Sequence, residues 1–400
     1  MRIRRSLIDS LIAGLVALGL AFTLHACQST PQTSPPPSPA AEVAQPSPTA
    51  TPLPPETLAI VNSAGSKGLF KPDRGDVRFV VISDLNSAYG SVTYDPEVDT
   101  AIKLMPFWNP DLVLCSGDMV AGQNPGLPDS RFSEMWAAFN RQVAAPLRQM
   151  NIPFGMTMGN HDASSALSVY GKFLFQRERD VAADYWKQPA HNPGVSFVDK
   201  FEFPFYYTFE FNDIFFLVWD SSSTHLPESK LAWVEKALGS EKAQSAKMRV
   251  VIGHLPLYAV AVGRDEPAEV VENADAMRAM LEKYKVHTYI SGHHHAYYPA
   301  HRGKLQLLHM GILGSGPRPY LVGSQAPRKS LTVVDVNFDS PELTTYTTYD
   351  MQTLQLISYS ELPRMIVGNN GVVIRRDVEQ LSQEEQQACE SQIGIAGCSA

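Results

Sequence analysis

The chain has 400 residues, 44% of them hydrophobic and 18% charged. That is an ordinary globular balance, which excludes wholesale disorder and suits one large domain or two smaller ones. Lys and Arg number 33 against 41 Asp and Glu, a formal charge of −8, which argues against a basic nucleic-acid footprint, so no nucleic-acid partner is expected. No long apolar run follows residue 26, so the body is not read as a polytopic membrane protein.

Arg2, Arg4 and Arg5 form a positive start, followed by an apolar run from Ser10 to Leu24. The run is short of the roughly 20 residues a spanning helix needs and fits an export signal over residues 1–26. It ends in Leu24-His25-Ala26-Cys27, which resembles a bacterial lipobox with Cys27 as the lipidated residue. Ordinary signal cleavage or an uncleaved anchor are the alternatives. The expectation is an exported protein, anchored through Cys27 to the extracytoplasmic or periplasmic face of a bacterial membrane. Residues 27–56 follow as a linker; ten of the 30 prolines lie between Pro31 and Pro55, and such a segment is extended rather than core-forming.

Mostly apolar runs of strand length occur at Val77 to Ser83, Leu112 to Ser116, Phe154 to Met158, Met248 to Ile252 and Thr288 to Ser291. Such runs suit strands buried on both faces. Helical spacing marks Pro96 to Met105, Phe132 to Met150, Glu228 to Leu238 and Pro267 to Tyr284. Further strands are expected at Tyr206 to Phe211, Ile214 to Asp220, Leu331 to Asn337, Thr344 to Tyr349 and Leu354 to Ser360. The pattern is mixed α/β (α+β mixed), and two packed sheets with helices outside fit it. One catalytic domain is expected over 57–365. A tail over 366–400 is expected to pack a short helix, Val378 to Cys389. Cys389 and Cys398 form a possible disulfide in an oxidising compartment, and Cys115 reads as a buried small hydrophobe.

Chemistry-bearing residues stand where the early strands end. Asp84 follows the first run, Gly117-Asp118 the second, and Gly159-Asn160-His161-Asp162 the third. Gly253-His254 follows the fourth and Gly292-His293-His294-His295 the fifth. Strand ends that converge would gather these groups into one site. Carboxylates, the Asn carbonyl and imidazoles are ligands for Mn, Fe or Zn. Asp220, after a later strand, reads as a structural loop carboxylate.

Taken in order, Asp84, Asp118, Asn160, His254 and His293 are separated by 34, 42, 94 and 39 residues. With GNHD at Asn160 and GHHH at His293, this series resembles the calcineurin-like metallophosphoesterases, distantly related to purple acid phosphatases. The resemblance implies a four-layer sandwich, two mixed β-sheets flanked by helices. It implies two divalent metal ions (Mn, Fe or Zn). It implies an enzyme that hydrolyses phosphate mono- or diesters, of a small phosphate ester or nucleotide, through a metal-bridging hydroxide. Asp84 and His295 would hold the first metal, Asp118 would bridge, and Asn160, His254 and His293 would hold the second. His161 would protonate the leaving group, and Asp162 would orient it. The family's usual Asp-x-His is here Asp84-Leu85-Asn86. Asn86 through its carbonyl oxygen, Tyr89, or a water would complete the first site. Without such completion the resemblance points to a non-catalytic metal- or phosphate-binding lipoprotein. The sequence does not specify an oligomeric state.

Overall fold

The computed structural model describes residues 52–398. The export signal, Cys27 and most of the linker lie outside the described residues. Among the described residues no helix is long and apolar enough to cross a membrane.

The expected linker overlaps helix α1 (Pro55–Ser63) by two residues, because the helix opens with proline at its first position, where the missing N–H costs nothing. Thr57 docks it by donating to the Lys103 carbonyl at 2.8 Å. Strand β1 (Val77–Ile82) follows, then helix α2 (Pro96–Trp108), then β2 (Leu112–Cys115). Helix α3 (Asp129–Phe139) continues through a π turn, Asn140–Ala144, into α4 (Ala145–Gln149). Next come β3 (Phe154–Met156), the single turn α5 (Asn160–Ala163) and α6 (Gln176–Lys187). Strands β4 (Ser196–Glu202), β5 (Tyr206–Phe211) and β6 (Ile214–Val218) lead to α7 (Glu228–Leu238) and α8 (Glu241–Ser245). Then follow β7 (Met248–Ile252), α9 (Ala274–Lys283), β8 (Thr288–Ser291), β9 (Tyr298–Arg302) and β10 (Leu305–His309). The chain closes with β11 (Ser330–Val336), β12 (Thr344–Asp350), β13 (Met365–Gly368), β14 (Gly371–Arg375) and α10 (Gln383–Cys398).

Two mixed sheets result. One has the order β12-β11-β1-β2-β3, the other β13-β14-β9-β10-β8-β7-β6-β5-β4. β1, β2 and β3 run parallel, and so do β6, β7, β8 and β10. The sheets meet through their apolar faces, with Phe79 of β1 edge-on to Phe216 of β6 at 6.2 Å. All six residues of β1 and all five of β6 are buried, as strands covered on both faces must be.

Four expectations are corrected. The helix expected from Pro267 breaks into a 3-10 turn, Pro267–Glu269, and α9. Long-range bonds win there: the His294 ring donates to the Glu269 carbonyl at 3.0 Å, and Val271 N–H to the Pro256 carbonyl at 2.9 Å. The strand expected from Leu354 to Ser360 reduces to a bridge between Tyr349 and Leu356. The Asp350 side chain accepts from the Gln352 and Thr353 N–H groups and turns the chain, with Leu354 at φ 59°. The domain also runs past residue 365: β13 pairs with β14, and β14 with β9. The tail helix begins at Gln383, because Ser382 and Glu385 cap each other reciprocally. Cys389 and Cys398 are disulfide-bonded within it.

Candidate metal centre

The parallel strands of both sheets end on one side, and their loops are stitched together there. Asp84 N–H donates to the Gly117 carbonyl, and Gly292 N–H to the His254 carbonyl. Asp84, Asp118 and His254 each bring a ligand atom within 4.8 Å of the others, all buried. Asp84, Asp118, His293 and His295 have positive φ, at 50°, 55°, 64° and 55°. Non-glycine residues pay about 1 kcal/mol or more for this, so the fold spends stability to aim these four side chains.

Glycine is needed where the ligand loops touch. A Cβ on Gly159 would lie 2.1 Å from Asp118 Oδ1, and one on Gly292 would lie 2.6 Å from Asp84 Oδ2. No larger residue permits that approach.

Each imidazole is anchored by one nitrogen and presents the other inward. His254 Nδ1 pairs with the Ser116 carbonyl at 2.7 Å, leaving Nε2 facing Asn160 Oδ1 at 2.8 Å and Asp118 Oδ2 at 3.4 Å. His293 Nε2 pairs with Glu269 Oε2 at 2.7 Å, leaving Nδ1 facing Asn160 Oδ1 at 2.9 Å. His295 Nδ1 pairs with the Gly316 carbonyl at 2.9 Å, leaving Nε2 3.2 Å from Asp84 Oδ1. Such outer partners fix tautomer and ring orientation for a metal. Asn160 is itself fixed, its amide N–H donating to Gln123 Oε1 at 2.6 Å, which turns Oδ1 inward.

This donor set fits a cation. Asn160 Oδ1 lies within 2.9 Å of the inward nitrogens of both His254 and His293, so a proton or a metal ion must sit between them. Asp118 Oδ2 is buried and takes no hydrogen bond. Buried acceptors that face each other need positive charge between them. Burial pushes the Asp118 carboxyl up, but the His254 and His161 imidazoles pull it below the usual carboxylate range. Burial likewise lowers His254, yet Asp118 and Asp84 raise it to about 9. The spot attracts positive charge. Asp84, Asp118, Asn160, His254, His293 and His295 are the residues that would hold it.

Other sequence expectations fare differently. The Asn86 side chain is buried but makes no hydrogen bond among the described residues; only its backbone joins the loops, donating to the Asp118 carbonyl and accepting from Ser315. Tyr89 is exposed, and its ring packs at a tilt against His161, with centroids 5.2 Å apart. Asp162 does not orient His161. Its carboxylate accepts from the Val120 and Gly159 N–H groups, at 2.9 Å each, and so joins two ligand loops. Burial and the Asp118 charge raise it to about 7. The His161 ring is instead held by the Gly122 carbonyl at 3.1 Å. His294 is buried and pinned between Val260 N–H and the Glu269 carbonyl. Asp220 pairs with buried Arg179 at 2.7 Å, a structural role. Glu269, Gln123 and Arg264 carry no motif, and no sequence pattern singles them out.

Comparisons with known proteins agree with this geometry. The chain is similar to "Probable purple acid phosphatase 20" of Arabidopsis thaliana, 23% identical over 228 residues that cover 56% of this chain and 47% of that protein. It thus spans about half the length of that curated relative. Its fold is similar to purple acid phosphatase PPD1 from yellow lupin (Lupinus luteus) seeds, with TM-score 0.51, 15% identity, and coverage of 73% of this chain and 56% of the other. Residues 77–297, from β1 to just past the last histidine motif, match the calcineurin-like phosphoesterase family. The chain belongs to that family.

Proposed function

We propose that this chain hydrolyses phosphate mono- or diesters in a metal-dependent reaction, as an exported protein held at a bacterial membrane by lipid on Cys27. The observation that carries the catalytic reading is Asp118, whose unpartnered Oδ2 lies between the inward nitrogens of His254 and His161, at 3.4 and 3.9 Å. When bound, divalent cations at this centre supply Lewis acidity toward the phosphoryl oxygens and the attacking water. The residues of the chain do the rest. The anchored histidines and Asn160 hold their donor atoms in place beforehand, so little reorganisation accompanies reaction. His161 keeps one N–H on the Gly122 carbonyl, and as imidazolium it gives the Nε2 proton to the departing oxygen. The ring of Tyr89 restricts its rotation.

The test is hydrolysis of para-nitrophenyl phosphate and of bis(para-nitrophenyl) phosphate. Asp118→Asn should abolish both with the fold intact; retained turnover removes the reading. A second reading, metal or phosphate binding without turnover, is favoured by the idle Asn86 side chain, and a parent chain that binds metal yet hydrolyses neither ester would establish it. The export reading is supported by the basic start, the apolar run, the cysteine that ends it, and the bonded Cys389–Cys398 pair. It is tested by incorporation of labelled palmitate, which Cys27→Ala should abolish.

A further inference from the structure

A cavity of about 500 Å³ opens beside the metal centre, reaching Asn160 and His293. Its lining is mixed, with Leu167 and Leu255 beside the polar groups. Ser164, Ser165, Ser222, Ser223 and Thr224 contribute hydroxyl-bearing side chains, and Arg264 and Glu269 contribute charge. Arg264 Nη1 bonds Glu269 Oε2 at 2.5 Å and stands 3.5 Å from His293 Nε2. Its Nε is buried and has no hydrogen-bond partner. Arg318 lies alongside, reaching the Val262 carbonyl at 3.3 Å, and its Nε is equally without a partner. Burial, then the charge of Arg264, hold Arg318 below the ordinary arginine value.

The charges at this place do not balance. Arg264 and the His293 ring share the Glu269 carboxylate, and Arg318 has no ion-pair partner among the described residues. The nearby acids are engaged elsewhere: Asp265 accepts from Asn369 N–H, and Glu272 is bonded to Thr224 and His225. Arg264 lines the cavity and has guanidinium N–H groups beyond the one that Glu269 takes, which a phosphate or another oxyanion would match.

We propose that Arg264, seconded by Arg318, forms an anion subsite for a second phosphoryl group of the substrate, so that the preferred substrates are phosphoric anhydrides such as pyrophosphate or nucleoside di- and triphosphates. This rests on the hydrolase reading above. Contact between Arg264 and His293 puts the subsite next to the reacting phosphoryl group, which suits two groups joined through one bridging oxygen. Water adds its oxygen to the terminal phosphorus. The bond from that phosphorus to the bridging oxygen breaks, its electron pair stays on the bridging oxygen of the leaving phosphate or nucleotide, and the protons of water end on the two products or in solvent. The hydroxyl-rich lining suits the remaining oxygens.

The test uses the full chain in Mn(II) and two non-hydrolysable probes, methylenediphosphonate and methylphosphonate, titrated calorimetrically in the same buffer. The parent should bind the diphosphonate at least about tenfold more tightly, a difference of about 1.4 kcal/mol. That ratio should fall about fivefold or more in Arg264→Gln and in Arg318→Gln, as expected for loss of a charge-assisted contact. Arg264→Lys, which keeps the charge, should retain part of the preference and so separates loss of the anion contact from loss of fold. Equal binding of both probes by the parent, or an unchanged ratio in both Gln variants, overturns the proposal. A parent that hydrolyses para-nitrophenyl phosphate but shows no preference loses the subsite and keeps the hydrolase reading. A parent with the preference but no hydrolysis does the reverse.

Discussion

The backbone N–H of His161 donates to Oδ1 of Asp118 at 2.8 Å, while the ring of the same residue holds Nε2 3.9 Å from Oδ2. One histidine therefore positions the carboxylate with its main chain and faces it with its side chain. The group that would give a proton is fixed relative to the group that would hold metal. That fixed relation is the core of the functional account.

Tyr89 is the outer support of this pair. Tyr89→Phe keeps the ring on His161 and should leave kcat near the parent value. Tyr89→Ala frees the imidazole and should lower kcat for an alkyl phosphate by about tenfold, a fraction of the 10²–10⁴-fold typical of positioned acid–base groups. For bis(para-nitrophenyl) phosphate, whose leaving group needs little protonation, the loss should be smaller. Equal losses on both substrates would refute the positioning role.

The glycines offer a steric test. Gly159→Ala places a Cβ on Asp118 Oδ1, so the carboxylate or the loop must shift. Displacements of about 1 Å cost catalysis about 10²-fold. The variant should lose at least that much activity and most of its bound metal, while its circular dichroism spectrum stays that of the parent. Normal metal content would contradict the close-packed loops.

His309, on β10, is buried with both ring nitrogens unpartnered, and burial lowers it to about 3. Below about pH 6.5 the unfolded chain accepts a proton here that the folded chain refuses. Stability from this group is complete above that pH and is lost on acidification, by about 1.4 kcal/mol per pH unit down to about 3. His309→Leu removes the difference. Denaturant midpoints of variant and parent should therefore move apart as the pH falls from 7 to 5, in favour of the variant. Parallel pH curves would contradict the assignment.

Cys389 and Cys398 share a small core with Val372, Ile374 and Val378, separate from the main one. A cross-link over so short a loop contributes about 2–3 kcal/mol. Cys398→Ser should speed hydrogen exchange in α10 and leave ester hydrolysis unchanged. Exchange confined to parent rates would show that the helix docks without it.

Much of the centre is legible in the sequence because parallel strands buried on both faces leave contiguous apolar runs, such as Val77–Ile82 and Met248–Ile252, and the functional residues stand directly after them. The edge strand β4 is mostly exposed and carries charges, so it leaves no such run. β9 contains Pro299 and is defined by its partners β10 and β14. The start of α10 was legible, in the Ser382 to Glu385 spacing, but the apolar pattern draws the eye earlier. Glu269, Gln123 and Arg264 reach the site through long-range folding alone, and the carbonyls of Ser116, Gly122 and Gly316 that orient three histidines have no sequence signature at all.

Metal content of the full chain tests the central claim most directly. Elemental analysis should be made after purification without chelators and equilibration with Mn(II), on the parent and on Asp118→Asn. Two divalent ions per parent chain, and loss of at least one in the variant, are the expected result. Parent content no higher than the buffer blank, or equal content in the two proteins, would contradict it.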